Sequence, residues 1–273
     1  MVTNDDGIDS IGLHKLALAM RPYGEVVVVA PDREYSGASA AFGALHLIHP
    51  ELHEATVEGI DESWAVTGPP ALCVMFARLG LFGPRFDLVV SGINPGANVG
   101  RSVYHSGTVG AALTARNSGI SGVAISQAVE GFGVEGQGWD EMIANQKWDS
   151  AATVAAAVVG GLVADLPAEA VVVNVNVPNL AIEEMKGWRR AEVGTVPPRT
   201  MASAEREPMA GYEGRYNVKM SWGDAVDLPI DTDGGAVEAG EVAITFLGRL
   251  DGAGIDTDEP TPAELALDEL LAR

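Results

Sequence analysis

Short, continuous apolar runs alternate along this chain with longer segments whose apolar residues recur at helical spacing. Val26-Val27-Val28-Val29-Ala30 is the clearest run. It is continuous rather than alternating, as expected of a strand covered on both faces. Residues 86–91, 122–126 and 170–175 repeat the pattern, and 12–20, 70–79, 108–117 and 150–166 read as the helices between them. Such alternation predicts βαβ units, hence an α/β fold: a Rossmann-like, three-layer parallel sheet with helices on both faces. The first strand is short. Only Met1-Val2-Thr3 precede the first turn, against a usual strand of about five or six residues, so either a start site lies upstream or this strand is truncated.

Beyond about residue 187 the texture changes. Pro197-Pro198, isolated glycines, Tyr212 and Tyr216 replace the long apolar runs, which predicts an extended β-hairpin arm instead of a second core. Residues 241–247 read as a returning strand. Residues 260–272 read as a C-terminal helix, with Thr261 as its cap, Glu264 three residues on, and a stripe of Leu265, Leu267, Leu270 and Leu271. That stripe is expected to pack on its own domain, with a partner subunit as the alternative. The organisation expected is an α/β core over 1–190, an arm over 191–235, and the returning strand and helix over 236–273.

Charge narrows the range of partners. The 273 residues hold 38 Asp and Glu against 17 Lys and Arg, for a formal net charge of −21. Such a chain will not grip a nucleic-acid polymer by counterion release, and an anionic bilayer repels it. Apolar residues make up 47% of the chain, too many for intrinsic disorder. The acidity is uneven: residues 1–125 hold 12 acids and 7 bases (net −5), whereas 126–273 hold 26 and 10 (net −16). The second half therefore reads mainly as a solvated acidic surface. Cys73, the only cysteine, sits in an apolar run and reads as a buried structural thiol. The opening residues lack the basic and apolar regions of a signal peptide, and the Ala/Gly-rich stretch 151–164 is too short to span a bilayer. A soluble, cytoplasmic protein is expected.

In parallel α/β sheets ligands bind beyond the carboxyl ends of the strands, which selects three loops: Asn4-Asp5-Asp6-Gly7, residues 31–39 and residues 92–100. Two adjacent aspartates directly after a strand repel each other. One explanation is structural, a turn followed by an Asp cap on the next helix. The other is a hard divalent cation, which takes carboxylate, amide and hydroxyl oxygens. Asp5, Asp6, Ser36 and Asn94 offer four such oxygens from three converging loops, and the convergence favours the metal. The run Tyr104-His105-Ser106-Gly107-Thr108-Val109-Gly110 then leads into a helix, and free N–H groups at a helix start, with Ser106 and Thr108 hydroxyls beside them, suit a phosphate. Asn4, Gly37, Asn94 and Asn98 on the same loops are further candidates for substrate contact. His105 adjoins this loop as a candidate proton donor or acceptor. His46, His49 and His53 read as scattered loop or strand histidines, not a zinc site. No G-x-G-x-x-G or Walker motif occurs.

Taken together, Asn4-Asp5-Asp6-Gly7, Ser36-Gly37-Ala38-Ser39, the run from Asp87 through Ser91-Gly92-Ile93-Asn94 to Gly96, Asn98 and Gly100, and Ser106-Gly107-Thr108-Val109-Gly110-Ala111-Ala112 resemble the signatures of the SurE (survival protein E) family. Order and spacing agree over residues 1–128; Asn174-Val175-Asn176-Val177-Pro178 fits the next strand, and Asp231-Thr232-Asp233 weakly echoes a later motif. The resemblance implies a metal-dependent 5′/3′-nucleotidase, with Asp5, Asp6, Ser36 and Asn94 holding one divalent cation per subunit, Mg²⁺ or Mn²⁺. It implies phosphate held at Ser106, Gly107 and Thr108, and arms and C-terminal segments exchanged between subunits of a homodimer or homotetramer. The chain departs from the family pattern at His105, at Thr114-Ala115 and at Thr67-Gly68-Pro69-Pro70-Ala71-Leu72-Cys73.

The function expected is hydrolysis of nucleoside monophosphates, with Asp5 and Asp6 catalytic and a metal-activated water as nucleophile. The alternatives are a non-catalytic nucleotide or metal sensor, and a phosphatase for a non-nucleotide phosphomonoester.

Overall fold

The computed structural model describes residues 1–47, 49–130, 139–196, 201–250 and 259–271. In chain order its strands are β1 (Val2–Thr3), β2 (Val27–Pro31), β3 (Leu52–Glu54), β4 (Glu62–Val66), β5 (Leu88–Pro95), β6 (Ser121–Gln127), β7 (Val172–Val177), β8 (Trp188–Arg190), β9 (Met201–Pro208), β10 (Tyr216–Trp222) and β11 (Val242–Phe246). The helices are α1 (Ile11–Met20), α2 (Pro70–Arg78), α3 (Gly107–Asn117), α4 (Trp139–Ile143), α5 (Trp148–Ala164), α6 (Asp233–Glu238) and α7 (Pro262–Leu271). Nine strands form one sheet in the order β3-β4-β2-β1-β5-β6-β7-β11-β8. From β4 to β7 all neighbours are parallel. Only β3 and β11 run antiparallel to the neighbours they join there, β4 and β7.

Both faces are covered, as the continuous runs require. Val28 and Ala30 of β2 face the core built with Leu13 and Leu16 of α1 and Ala155 and Val159 of α5. Val27 and Val29 of the same strand face Leu72, Cys73 and Val74 of α2 and Ala111 and Ala115 of α3. Burying each valine contributes on the order of 1.5–3 kcal/mol. Cys73 lies fully inside this second layer, and burial pushes its thiol pKa up. That fits the expected structural role.

The two-residue β1 sits in the middle of the sheet. Val2 pairs with Val28 on one side and Val90 on the other, and Thr3 pairs with Ser91. Its loop therefore leaves from the centre of the carboxyl edge, with the loops after β2 and β5 flanking it.

Five elements were not expected. β3, β8 and α4 are three to five residues long, too short for a periodic signal, and β4 opens on the polar Glu62-Ser63 with no continuous apolar run. α6 contains Gly234 and Gly235, poor helix formers, and is started by Thr232, whose hydroxyl accepts from the Gly235 N–H at 3.2 Å. The hairpin arm exists as β9 and β10, an antiparallel pair outside the main sheet. Its two roots fold back onto the core, where Glu192 bridges Thr232. Pro197 and Pro198, read as part of the arm, lie outside the described residues. The Thr261–Glu264 capping box forms: the Thr261 N–H donates to Glu264 Oε2 at 2.6 Å and the Glu264 N–H to Thr261 Oγ1 at 3.3 Å. The leucine stripe of α7 does not pack on its own domain, however; Leu265, Leu267, Leu270 and Leu271 are all exposed. Among the described residues no helix is long and apolar enough to cross a membrane.

α3 lies so close to the sheet that a Cβ on Gly122 of β6 would fall 2.4 Å from the Ala112 carbonyl oxygen. Gly122→Ala is expected to cost about 1–3 kcal/mol of stability through this overpacking, read by urea denaturation. An unchanged midpoint would mean that α3 can lift from the sheet without penalty.

Candidate metal and phosphate site

The turn after β1 is held by its own side chains. Asn4 is buried, and its Nδ2 donates to the Gly7 carbonyl at 3.0 Å and to Ser10 Oγ at 2.6 Å. Gly7 adopts φ +102°, and a Cβ there would lie 3.1 Å from the Arg33 carbonyl carbon. This position therefore needs glycine for both conformation and space. Ser10, not an aspartate, caps α1, accepting from the Leu13 N–H. The capping explanation for the Asp pair is thus removed.

Asp5 and Asp6 point into a crowded, poorly solvated corner. Asp5 is 2% exposed, and Thr108 Oγ1 donates to its Oδ1 at 2.5 Å. Gly107 stands so close that a Cβ on it would fall 2.7 Å from Asp5 Oδ2. Burial raises the Asp5 pKa despite the side-chain and backbone donors of Thr108. Asp6 is pushed up to about 8 by burial first, then by the charges of Asp5 and Glu34. Its Oδ2 is buried without a hydrogen-bond partner. A buried carboxylate oxygen lacking a donor is costly, and a hard cation is the group that would satisfy it. The donor set fits one: two carboxylates, with hydroxyl and amide oxygens on the flanking loops. Among the described residues no group of three or more His, Cys, Asp or Glu side chains forms a cage, so such a site would rest on those neutral oxygens.

The other candidates divide into two groups. Around Asp5 the loop after β2 is tied in by the Tyr35 N–H, which donates to the Asp5 carbonyl at 2.7 Å. The Ser36 N–H donates to Glu34 Oε1 at 2.9 Å, and Gly37 follows at φ +82°. Ser39 then joins this loop to the α3 entry: its N–H donates to the His105 carbonyl at 3.2 Å and its Oγ to the Tyr104 carbonyl at 2.8 Å. Asn94 stands at the carboxyl end of β5, beside β1, with its Nδ2 donating to the Gly96 carbonyl at 2.7 Å. A register shift between Ser91 and Asn94 sets it there. Ser106 caps α3, accepting from the Val109 N–H at 3.1 Å, and Gly107 begins the helix, where N–H groups have no intrahelical acceptor. The side chain of Thr108, a candidate phosphate contact, donates to Asp5.

Asn98 belongs to the second group and lies inside. Its N–H donates to Asn176 Oδ1 at 2.7 Å and its Nδ2 to Ser126 Oγ at 2.8 Å, while its carbonyl accepts from Asn174 and Asn176. His105 is exposed at the rim. His46, His49 and His53 are exposed as well, and His53 lies 3.3 Å from Glu51. Sequence reasoning missed Glu34, the third acid whose charge reaches the pair. A cavity of about 360 Å³ lies at the opposite, amino-terminal ends of the strands, lined by residues including Met1, Tyr23, Val27, Phe86 and Leu88, and contains none of these groups.

A sequence model of the family described as Survival protein SurE matches residues 1–199. The chain belongs to the SurE family. It is 35% identical over 251 residues to the 5′/3′-nucleotidase SurE of Salmonella paratyphi A, covering 90% of this chain and 88% of that protein. The 5′/3′-nucleotidase SurE of Erwinia tasmaniensis matches at the same identity and coverage. The crystal structure of the SurE protein from Aquifex aeolicus superposes with a TM-score of 0.73 at 29% identity, covering 92% of this chain and 94% of that one. The likeness to these SurE proteins thus extends past the motif loops into the arm and the returning strand.

The electrostatics give a signed pH dependence. Asp6 moves from an ordinary value of 3.8 to about 8 on folding. Between those values the folded state binds more protons than the unfolded one, so this group's contribution to stability falls as pH rises. A bound cation removes that penalty. The rise in Tm when Mg²⁺ or Mn²⁺ is added to EDTA-treated protein should therefore be small near about pH 5 and large near about pH 8. Asp6→Asn should flatten the trend. Equal increments at both pH values would show that the pair does not bind the ion.

Proposed function

We propose that this chain is a metal-dependent phosphomonoesterase that hydrolyses nucleoside 5′- or 3′-monophosphates to nucleoside and phosphate. The observation that carries the reading is the buried Asp5–Asp6 pair, one oxygen of which lacks a donor, set against the first turn of α3. The names of the relatives from Salmonella and Erwinia support the nucleotide as substrate. Asp5, Asp6, Ser36 and Asn94 would hold one Mg²⁺ or Mn²⁺ per subunit. Such a cation lowers the pKa of water and draws charge off phosphoryl oxygens.

The chain's own groups have separable tasks. Thr108 ties Asp5 to the first turn of α3. Asp6, with no donor on Oδ2, is the carboxylate available to orient water or accept its proton. The Gly107 N–H and the positive end of α3 favour the phosphoryl oxygens, more so as charge develops on them. His105, at the rim, is the candidate to protonate the departing oxygen. Substrate charge is met locally, which suits small phosphomonoesters and not polymers on a chain of net charge −21.

Phosphate release from nucleoside monophosphates, sugar phosphates and polyphosphate, before and after EDTA and with metals restored singly, tests the reading. Metal-dependent release from the nucleotides is expected; tight nucleotide binding with no turnover of any compound would sink it. Asp6→Asn should lower kcat by roughly 10³-fold or more, and near-full activity would remove Asp6 from its role.

The same reading includes a homodimer or homotetramer. The stripe of α7 is open to solvent, with Leu270 70% exposed, and Tyr216, Val218 and Met220 of the arm are exposed too. An apolar stripe of this kind calls for a cover, and a second copy supplies one. Sedimentation velocity should show an oligomer, and Leu265→Glu with Leu270→Glu should shift it toward monomer. A wild-type monomer at micromolar concentration would contradict this part.

A further inference from the structure

Asp233, the last residue of the Asp231-Thr232-Asp233 run, is wholly buried at the first position of α6, far in sequence from the candidate metal and phosphate loops. Among the described residues its carboxylate meets no cation, and the hydrogen bonds it accepts come from backbone. Oδ1 takes the N–H groups of Gly194 and Gly234, each at 2.9 Å, and the Gly100 N–H is shared between Oδ2 at 3.0 Å and Oδ1 at 3.1 Å. One side chain thus joins the root of the arm, the start of α6 and the loop that follows β5. The fit is tight on the loop side: Gly100 adopts φ +54°, and a Cβ there would lie 2.8 Å from the Val196 carbonyl oxygen.

Gly100 opens a short 3₁₀ turn, Gly100–Tyr104, that delivers the chain to the α3 entry. Within it Ser102 Oγ donates to the Val99 carbonyl at 2.5 Å, and the Ser102 carbonyl accepts from the N–H groups of His105 at 2.9 Å and Ser106 at 3.1 Å. Ser106 then caps the helix whose first N–H groups face the site. The proposed metal ligands have anchors of their own: Asn94 pairs with Ser126 along β5, and the Tyr35 N–H ties the loop after β2 to the Asp5 carbonyl at 2.7 Å.

We propose that Asp233 is a positioning residue for the phosphate half of the site, holding Gly100 so that the turn from Gly100 to Ser106 aims the α3 N–H groups. The inference rests on the function proposed above. It adds that the aim of these donors is set from the root of the arm.

Asp233→Asn tests it. The amide can keep Oδ1 toward Gly194, Gly234 and one arm of the Gly100 bond, but it then sets an N–H₂ donor against the Gly100 N–H in place of the Oδ2 acceptor. Donors misplaced by a fraction of an ångström should lower kcat about tenfold or more. The fall should be equal for a nucleoside monophosphate and for p-nitrophenyl phosphate, because the nucleoside side is untouched. Inorganic phosphate, titrated calorimetrically into the Mn²⁺-loaded protein, should bind about tenfold more weakly. The Mn²⁺ dissociation constant, read by the EPR signal of free Mn²⁺, should stay within about threefold. Gly100→Ala pushes the same contact from the loop side and should reproduce the split, so it decides the matter if Asp233→Asn fails to fold. Unchanged phosphate affinity and kcat, or loss of Mn²⁺ binding in step with phosphate binding, would overturn the proposal. If the wild type hydrolyses no phosphomonoester, the functional reading fails, while the phosphate and Mn²⁺ titrations still decide the role of Asp233.

Discussion

The structure depends on burying two adjacent carboxylates at the carboxyl end of its central strand. Burial raises the pKa of both, and each raises the other's cost by repulsion. For Asp5 the two donors of Thr108 oppose burial and do not outweigh it. For Asp6 nothing comparable opposes it, and Oδ2 is left without a partner. The nearby packing serves this arrangement. Gly7 lets the turn press on Arg33, Gly107 lets α3 approach Asp5, and Ser10 takes over the capping of α1, leaving both aspartates turned inward.

Much of the fold was legible because the chain signals burial plainly. The valine run of β2 is apolar on both faces because α1 and α5 cover one side and α2 and α3 the other. β4, with Glu62, Ser63 and Trp64 at its start, has no such signature, and its place beside β2 follows from pairing alone. α6 was invisible for the opposite reason: two glycines speak against a helix that the Thr232 cap and packing against the core sustain.

The site divides in the same way. Asp5, Asp6, Ser36, Asn94 and Ser106 stand in loops whose composition betrays them. Glu34 is a single acid in a chain with 38, and nothing local separates it from solvated surface; Asp233 carries only the weak Asp231-Thr232-Asp233 echo, which says nothing of what it touches. Asp233 reaches Gly100 across 133 residues of sequence, a distance over which no spacing rule applies. Thr108 shows the limit differently. Its position at a helix start was readable, but the turn of its hydroxyl toward Asp5 depends on how closely α3 sits against β1.

The net charge of −21 then has a structural consequence beyond solubility. With few cations to spend, this chain would, on the proposed function, offer phosphate a helix start in place of a basic cluster. A lysine can follow a displaced anion by changing rotamer, since its stem has many low-energy conformations. A backbone N–H cannot; it moves only if the peptide moves. A site built on such donors therefore needs its loops fixed from behind. The buried polar groups supply that. Asn174 and Asn176 grip the Asn98 peptide, Asp233 grips Gly100, and Thr108 locks the helix to Asp5. Each of these clamps is itself acidic or neutral, so each adds rigidity without adding positive charge. A carboxylate accepting three N–H groups is a compact way to fix backbone, and Asp233 so joins the arm root and the α6 start to the loop that, on the proposed function, would aim the anion donors.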